Sequence, residues 1–236
     1  MRTKLNLDLT PDQLIGMANV RIAGLTSAST MPGKCEVRMY IDTSGSFNDE
    51  WKSGLVQQLF LRVAAVAHIL DANGSLDIFH FNDDVHSMGS IKFATLPKNW
   101  LQNQYSRIRF GGTQFNPVFK SAESSTVLGS AMKVASGLFS MFNTPKKAPP
   151  NLVYILTDGE CTDAREATTT AAALQDGNTY FMFVNVDVLS AAAKKLSDNY
   201  PHIGHKHFPN LSTITDEEFM GALLTPEFMT WRANQG

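Results

Sequence analysis

The run Ile41-Asp42-Thr43-Ser44-Gly45-Ser46 constrains this chain more than any other. It follows directly on Cys35-Glu36-Val37-Arg38-Met39-Tyr40-Ile41, which reads as a strand, so a carboxylate and two hydroxyls leave one strand end together. Gly45 allows the backbone to turn tightly between the two serines. Hard oxygen donors gathered at one turn suit Mg²⁺ or Mn²⁺, because hard cations prefer oxygen ligands. Alone, such a turn is ordinary helix capping. Two later segments change its meaning: Gly111-Gly112-Thr113, and Leu156-Thr157-Asp158-Gly159.

The chain around these motifs has a strand–helix rhythm. Apolar residues at Leu55, Leu59, Val63, Val66 and Leu70 make a helical stripe within Trp51 to Leu70. Asn73-Gly74 turns into a strand at Leu76 to Phe81, and Asn82-Asp83-Asp84 turns again into Val85 to Phe93, an antiparallel edge strand by the shortness of its connection. Leu96 to Phe110 is irregular. Phe115 to Lys120 and Val127 to Phe142 read as helical, and Pro145, Pro149 and Pro150 end the latter. Leu152 to Leu156 is a continuous apolar run, the pattern of a strand buried on both faces. A helix at Asp163 to Leu174, a strand at Thr179 to Val186, a helix at Leu189 to Leu196 and a short strand at His205 to Phe208 follow. Two short helices, Asp216 to Leu224 and Pro226 to Trp231, close the chain.

This alternation predicts an α/β fold: a Rossmann-like three-layer α/β/α sandwich with a mostly parallel central sheet and one antiparallel edge strand. Residues 1–34 read as an N-terminal extension, 35–210 as the main domain, and 211–236 as a helical segment packed on it. Within the extension, Leu5 to Leu9 alternates like a short strand, and Thr10-Pro11-Asp12-Gln13 opens a short helix.

Composition narrows the function classes. At 236 residues the chain is long enough for a substantial core, and its formal charge of −2 is spread over interspersed acids and bases. No basic stripe points to nucleic acid. Cys35 and Cys161 sit in unlike contexts, which fits a reducing compartment. The N-terminus has no long apolar core of a secretory signal, and Leu55 to Leu70 is interrupted by Gln57, Gln58, Arg62 and His68. The expectation is a soluble cytoplasmic protein without a membrane span.

In open α/β sheets, ligands collect beyond the C-terminal ends of the strands. Asp42, Ser44, Ser46, Thr113 and Asp158 all fall on such ends or on the loops between them. Asp42 and Asp158 balance a divalent charge, and the hydroxyls supply neutral donors. Arranged as Asp42-x-Ser44-x-Ser46, then Thr113, then Asp158-Gly159, the pattern resembles the metal-ion-dependent adhesion site of von Willebrand factor type A domains. The segments Gly111 to Val118 and Thr157 to Asp163 are most similar to the copine and tellurium-resistance-type intracellular group. The chain departs from copines in having only 34 residues before the domain, too few for tandem lipid-binding domains. Phe47 stands where that turn is often followed by methionine.

The resemblance implies Ser44, Ser46 and Thr113 as direct ligands of Mg²⁺ or Mn²⁺, with Asp42 and Asp158 often acting through water. It further implies a partner protein that completes the metal shell with an Asp or Glu, and a role as an interaction module, in stress response or in a phage-related setting. An assembly subunit that uses the fold for docking or self-association is the alternative. A Mg²⁺-dependent phosphotransferase of the haloacid-dehalogenase type also starts with an aspartate after a strand, but resembles Asp-x-Asp there, whereas this chain has Ser44. The expectation is therefore a non-enzyme.

Other candidates have plainer readings. Asp83 and Asp84 fit turn chemistry, Asp163 fits a cap on the helix that follows it, and Glu160 lies close enough to the rim to tune it. His202, His205 and His207 match no strong zinc spacing. Cys161 reads as an inert buried thiol.

Overall fold

A computed structural model describes residues 5, 6, 8–25, 34–124 and 149–235. The strands are β1 (Glu36–Asp42), β2 (Leu76–Phe81), β3 (Val85–Ile91), β4 (Asn151–Thr157), β5 (Thr179–Val186) and β6 (Ile203–Phe208). They form one sheet in the order β3-β2-β1-β4-β5-β6. Every neighbouring pair is parallel except β2–β3, the antiparallel edge hairpin. The helices are α1 (Pro11–Leu25), α2 (Asn48–Ser53), α3 (Leu55–Leu70), α4 over residues 116–124, α5 (Ala164–Ala173), α6 (Ala191–Asn199), α7 (Asp216–Ala222) and α8 (Pro226–Ala233). The helix expected over Val127 to Phe142 lies outside the described residues.

Period-two alternation divides the strands between two cores. Val37, Met39 and Ile41 of β1, Leu152, Tyr154 and Leu156 of β4, and Tyr180, Met182 and Val184 of β5 face a core shared with α1, α3, α7 and α8. Tyr40, Val153, Ile155, Phe181 and Phe183 face a second core completed by Phe115, Phe119, Ala167, Ala171 and Leu196 from the other side. Helices thus cover both faces of a sheet whose central strands β4 and β5 are buried throughout. That double burial explains their unbroken apolar sequence.

Local chemistry sets many helix ends. Thr10 and Gln13 exchange backbone and side-chain hydrogen bonds at the start of α1, just before Pro11. Thr215 and Glu218 form a capping box on α7, and Thr225 caps α8 ahead of Pro226. The stripe from Trp51 to Leu70, read as one helix, is two. Gly54 at φ +81° ends α2 in the left-handed conformation, and α3 starts at the next residue.

The N-terminal region also differs from expectation. Leu5, Asn6, Asp8 and Leu9 form no strand, and the helix after them is fifteen residues long. Leu14, Ala18 and Ile22 are buried along one side of α1, which packs against α3 and α7. No helix among the described residues is long and apolar enough to cross a membrane.

Sheet order puts a topological switch between β1 and β4. From β1 the chain builds outward through β2 and β3, then returns to the other side of β1 for β4, β5 and β6. The crevice beyond the C-terminal ends of β1 and β4 is where the motif residues emerge.

Candidate metal centre

Asp42, the last residue of β1, is fully buried. The Ser44 N–H donates to its Oδ1 at 2.7 Å, the local Asx-type turn that an aspartate two residues ahead makes available. The indole Nε1–H of Trp51 donates to the Asp42 carbonyl at 2.9 Å and fixes α2 beneath the turn. The turn is tied laterally too. Gly45 N–H donates to the Gly111 carbonyl and Gly111 N–H to the Thr43 carbonyl, both at 3.0 Å, a short parallel bridge between the first and second motif loops.

β4 supplies the facing wall. The Thr157 hydroxyl donates to Asp42 Oδ2 at 2.6 Å. One residue on, Asp158 Oδ1 accepts from Ser46 Oγ at 3.1 Å and from Ser44 Oγ at 3.4 Å, while the two serine oxygens lie 3.1 Å apart. Four of the five expected ligand residues therefore converge through side-chain contacts or, for Asp42, through Ser44 and Thr157.

Thr113 arrives by backbone. Its carbonyl accepts from the Thr162 N–H at 2.9 Å and from the Thr162 hydroxyl at 3.2 Å, and the residue is buried at the crevice. On its other side, Asp83 Oδ2 accepts from the Gly112 N–H at 3.1 Å. A Cβ at Gly112 would stand 2.5 Å from Asp83 Oδ1, and one at Gly111 would stand 2.8 Å from Asp83 Oδ2, so any side chain there would expel the Asp83 carboxylate. Asp83 is thus a turn residue that also holds the loop presenting Thr113.

Asp163 departs from the sequence reading. It stands at the N-cap of α5 but makes no side-chain cap there. Its carboxylate instead accepts from the Phe115 and Asn116 N–H groups, at 2.9 and 2.8 Å, and so caps α4, the helix that continues the Thr113 loop. A carboxylate suits that position because unpaired N–H groups and the helix dipole favour negative charge at a helix start. Thr170 adds a second link between the two helices by donating to Asn116 Oδ1 at 2.7 Å. Glu160 turns away from the crevice and accepts from Ala191, Ala192 and Ser190 at the start of α6.

Electrostatics make this crevice unusual. Burial pushes the Asp42 carboxyl up to about 7; the Thr157 and Ser44 hydrogen bonds oppose the rise, and the nearby Asp158 charge adds to it. Burial likewise raises Asp158, against its bonds from Ser46 and Ser44. Two carboxylates that resist ionisation in a wall of hydroxyls form a donor set into which a hard divalent cation fits: it would offset both charges and accept neutral oxygens as well. The chemistry is oxygen-only. Among the described residues no three His, Cys, Asp or Glu side chains form a metal cluster.

The remaining candidates have other surroundings. His205 pairs with the Asn185 side chain at 2.8 Å, His207 with the Asp187 carbonyl at 2.9 Å, and His202 is buried against the rings of Phe181 and Tyr200. The Cys161 thiol is pushed up to about 12, by burial first and by the adjacent Asp163 next, and so is protonated at neutral pH.

Sequence reasoning did not single out Thr157 or Trp51, and it read Asp83 and Asp163 only as a turn residue and a cap on the following helix. Thr157 lies inside the Leu156-Thr157-Asp158-Gly159 motif, so its place was signalled. Asp83 and Asp163 act on backbone atoms of distant segments, and Trp51 on a carbonyl nine residues before it, contacts for which no local pattern exists.

Comparison with known proteins adds four findings. The model of vWA-TerF-like domains, described as a vWA found in the TerF C terminus, matches residues 34–235. The uncharacterized protein YcbR of Bacillus subtilis (strain 168) is 25% identical over 207 residues, covering 83% of this chain and 76% of YcbR. Among solved structures, proximal thread matrix protein 1 from the mussel byssus superposes with a TM-score of 0.50 at 13% identity, over 81% of this chain and 48% of its own. This chain thus spans about half of the mussel protein, and the likeness is one of fold. Manganese-loaded TRAP from Plasmodium vivax gives a TM-score of 0.49 at 14% identity, over 83% of this chain and 73% of its own.

Proposed function

The chain belongs to the vWA-TerF-like family of von Willebrand factor type A domains, and from that premise we propose that it is a metal-dependent protein-interaction module. The observation that supports this reading most is the convergence of Ser44, Ser46 and Asp158 within 3.1–3.4 Å of one another, beside the buried Asp42. In this reading Asp42, Ser44, Ser46, Thr113 and Asp158 hold one Mg²⁺ or Mn²⁺. When bound, the ion supplies an electrophilic point that an outside carboxylate can ligate.

The residues of the chain do the rest. Thr157 and the Ser44 N–H orient the Asp42 carboxylate, while Asp83 and Asp163 fix the Thr113 loop from either side. The partner inserts an Asp or Glu, and the loops after Asp42, Thr113 and Asp158 form the surrounding contact. The proposed setting is the cytoplasm, in a stress response of the tellurium-resistance kind or a phage-related process. The reading is non-enzymatic. The third position of the first motif is Ser44, whose hydroxyl lies against a second hydroxyl and a carboxylate, an arrangement suited to ligation.

The test is a pull-down from the native source with Mn²⁺ or chelator, followed by affinity measurements on the recovered partner. Thr113→Ala should weaken binding about tenfold with the fold intact, and Asp42→Ala should weaken it more because charge compensation for the ion is also lost. Equal partner binding by both variants, with and without chelator, would move recognition elsewhere. It would then favour the alternative of docking or self-association through another face. Metal-dependent phosphate release lost in Asp42→Asn would instead revive the phosphotransferase class.

A further inference from the structure

The β2–β3 hairpin carries a second pair of donors of a different chemical kind. His80 and His86 face each other directly across the antiparallel pair, with ring centroids 5.0 Å apart. Metal–nitrogen bonds of about 2.0–2.1 Å at a tetrahedral angle put two ligating imidazole centroids on the order of 5 Å apart. The observed spacing is compatible with a two-histidine chelate.

The hydrogen bonding around His80 favours one tautomer. The Thr43 hydroxyl donates its proton to the Phe81 carbonyl at 2.9 Å. With that proton committed, its contact with His80 Nδ1, at 3.3 Å, is satisfied when Nδ1–H donates and the hydroxyl oxygen accepts. That leaves Nε2 of His80 with its lone pair. An imidazole whose other nitrogen is held by a fixed acceptor is the usual state of a ligating histidine. Burial, with the neighbouring His86 ring, also lowers His80 to about 4, so the ring is neutral near pH 7. His86 is exposed and its ring can turn to meet a metal.

We propose that His80 and His86 form a two-histidine site for a borderline transition cation (Ni²⁺, Cu²⁺ or Zn²⁺), separate from the oxygen-lined crevice and completed by water or an outside ligand. The division follows from donor type: imidazole nitrogen favours Ni²⁺, Cu²⁺ and Zn²⁺, whereas the crevice of carboxylates and hydroxyls favours Mg²⁺ and Mn²⁺. The two sites share a wall, since Thr43 stands between His80 and Asp42 in the first motif turn.

The experiment is a calorimetric Ni²⁺ titration of the full chain in excess Mg²⁺, which keeps the crevice out of competition. The expected result is one Ni²⁺ per chain, at least tenfold weaker in His86→Ala and in His80→Gln, and unchanged in Asp42→Asn and in His205→Ala. Because His86 is exposed, its replacement leaves the fold intact, and circular dichroism checks this. Absence of Ni²⁺ binding, binding indifferent to His86→Ala, or binding lost in Asp42→Asn or His205→Ala would each overturn the proposal. Loss of Ni²⁺ binding in Asp42→Asn would place the ion in the crevice; the other outcomes do not bear on whether the crevice takes Mg²⁺ or Mn²⁺.

Discussion

Two buried aspartates in this molecule solve the same problem in opposite ways. Asp216, at the start of α7, is 6% exposed and meets Arg62 of α3, itself fully buried, with Nε 2.5 Å from Oδ1. The guanidinium also donates to the Asn6 and Gln58 carbonyls at 2.8 Å, and the Asn6 N–H donates to Asp216 Oδ2 at 3.1 Å. The cluster is electrically closed, and it ties both ends of the chain to α3. Asp42, equally buried, is surrounded by Thr157, Ser44 and Asp158, and no basic side chain among the described residues is one of the groups acting on it. A buried carboxylate with a cation of its own is architecture; one set among hydroxyls and a second carboxylate keeps its charge balance open to an exchangeable ion.

The contrast is most exposed to attack at its closed end. Replacing Arg62 with Met leaves Asp216 buried without its cation and should cost about 3–5 kcal/mol in urea unfolding, whereas adding Asp216→Leu should recover much of that loss. A single replacement as mild as the double one would show that the pair does not govern the burial of Asp216.

The open end should respond with the opposite sign. In chelator at pH 8, Asp42→Asn removes a charge that burial disfavours and should stabilise the protein by roughly 1–3 kcal/mol. Loss of stability there would mean that the carboxylate is already compensated. Acid sharpens the same test. Asp42 has a folded value of about 7, above its ordinary 3.8, so folding takes up a proton between those values. The stability of the natural chain relative to Asp42→Asn should therefore fall as pH rises from about 4 to about 7 and recover as pH drops. His80, His202 and His205 act in reverse. Burial lowers each to about 4, so both chains lose stability together as pH falls from 6.5 towards 4, and the difference cancels that loss. A gap between the two chains that stays flat from pH 4 to pH 8 would contradict the assignment to Asp42.

The smallest effect concerns the loop beside the open carboxylate. Asp163→Ala removes the cap on α4 and should cost about 1 kcal/mol of stability. It should also weaken Mn²⁺ binding several-fold by loosening the Thr113 loop, with Asp163→Asn intermediate because the amide keeps one acceptor oxygen. Mn²⁺ affinity untouched in both variants would confine Asp163 to helix capping.

Legibility in the sequence followed the range of the interactions. β4 and β5 were plain because strands covered on both faces need apolar residues at every position. The cap at Thr10 was plain because it is made within three residues. The break at Gly54 was hidden, since the apolar stripe runs through it and only the positive φ reveals the interruption. Alternation at Leu5 to Leu9 misled, because two turns' worth of pattern does not make a strand without a neighbour to pair with. At the site, the motif residues announced themselves, while Asp83 and Asp163 serve backbone N–H groups 29 to 48 residues away. Such partners belong to the fold, and no spacing rule finds them.

The most direct test of the central claim is a calorimetric titration of the chelator-treated chain with Mn²⁺, in parallel with Asp42→Asn. The account predicts one Mn²⁺ per natural chain, no binding to the variant, and a rise in unfolding free energy of about 2.7 kcal/mol at a hundredfold excess over the dissociation constant. Absence of Mn²⁺ and Mg²⁺ binding at millimolar concentration, or equal binding by Asp42→Asn, would contradict it.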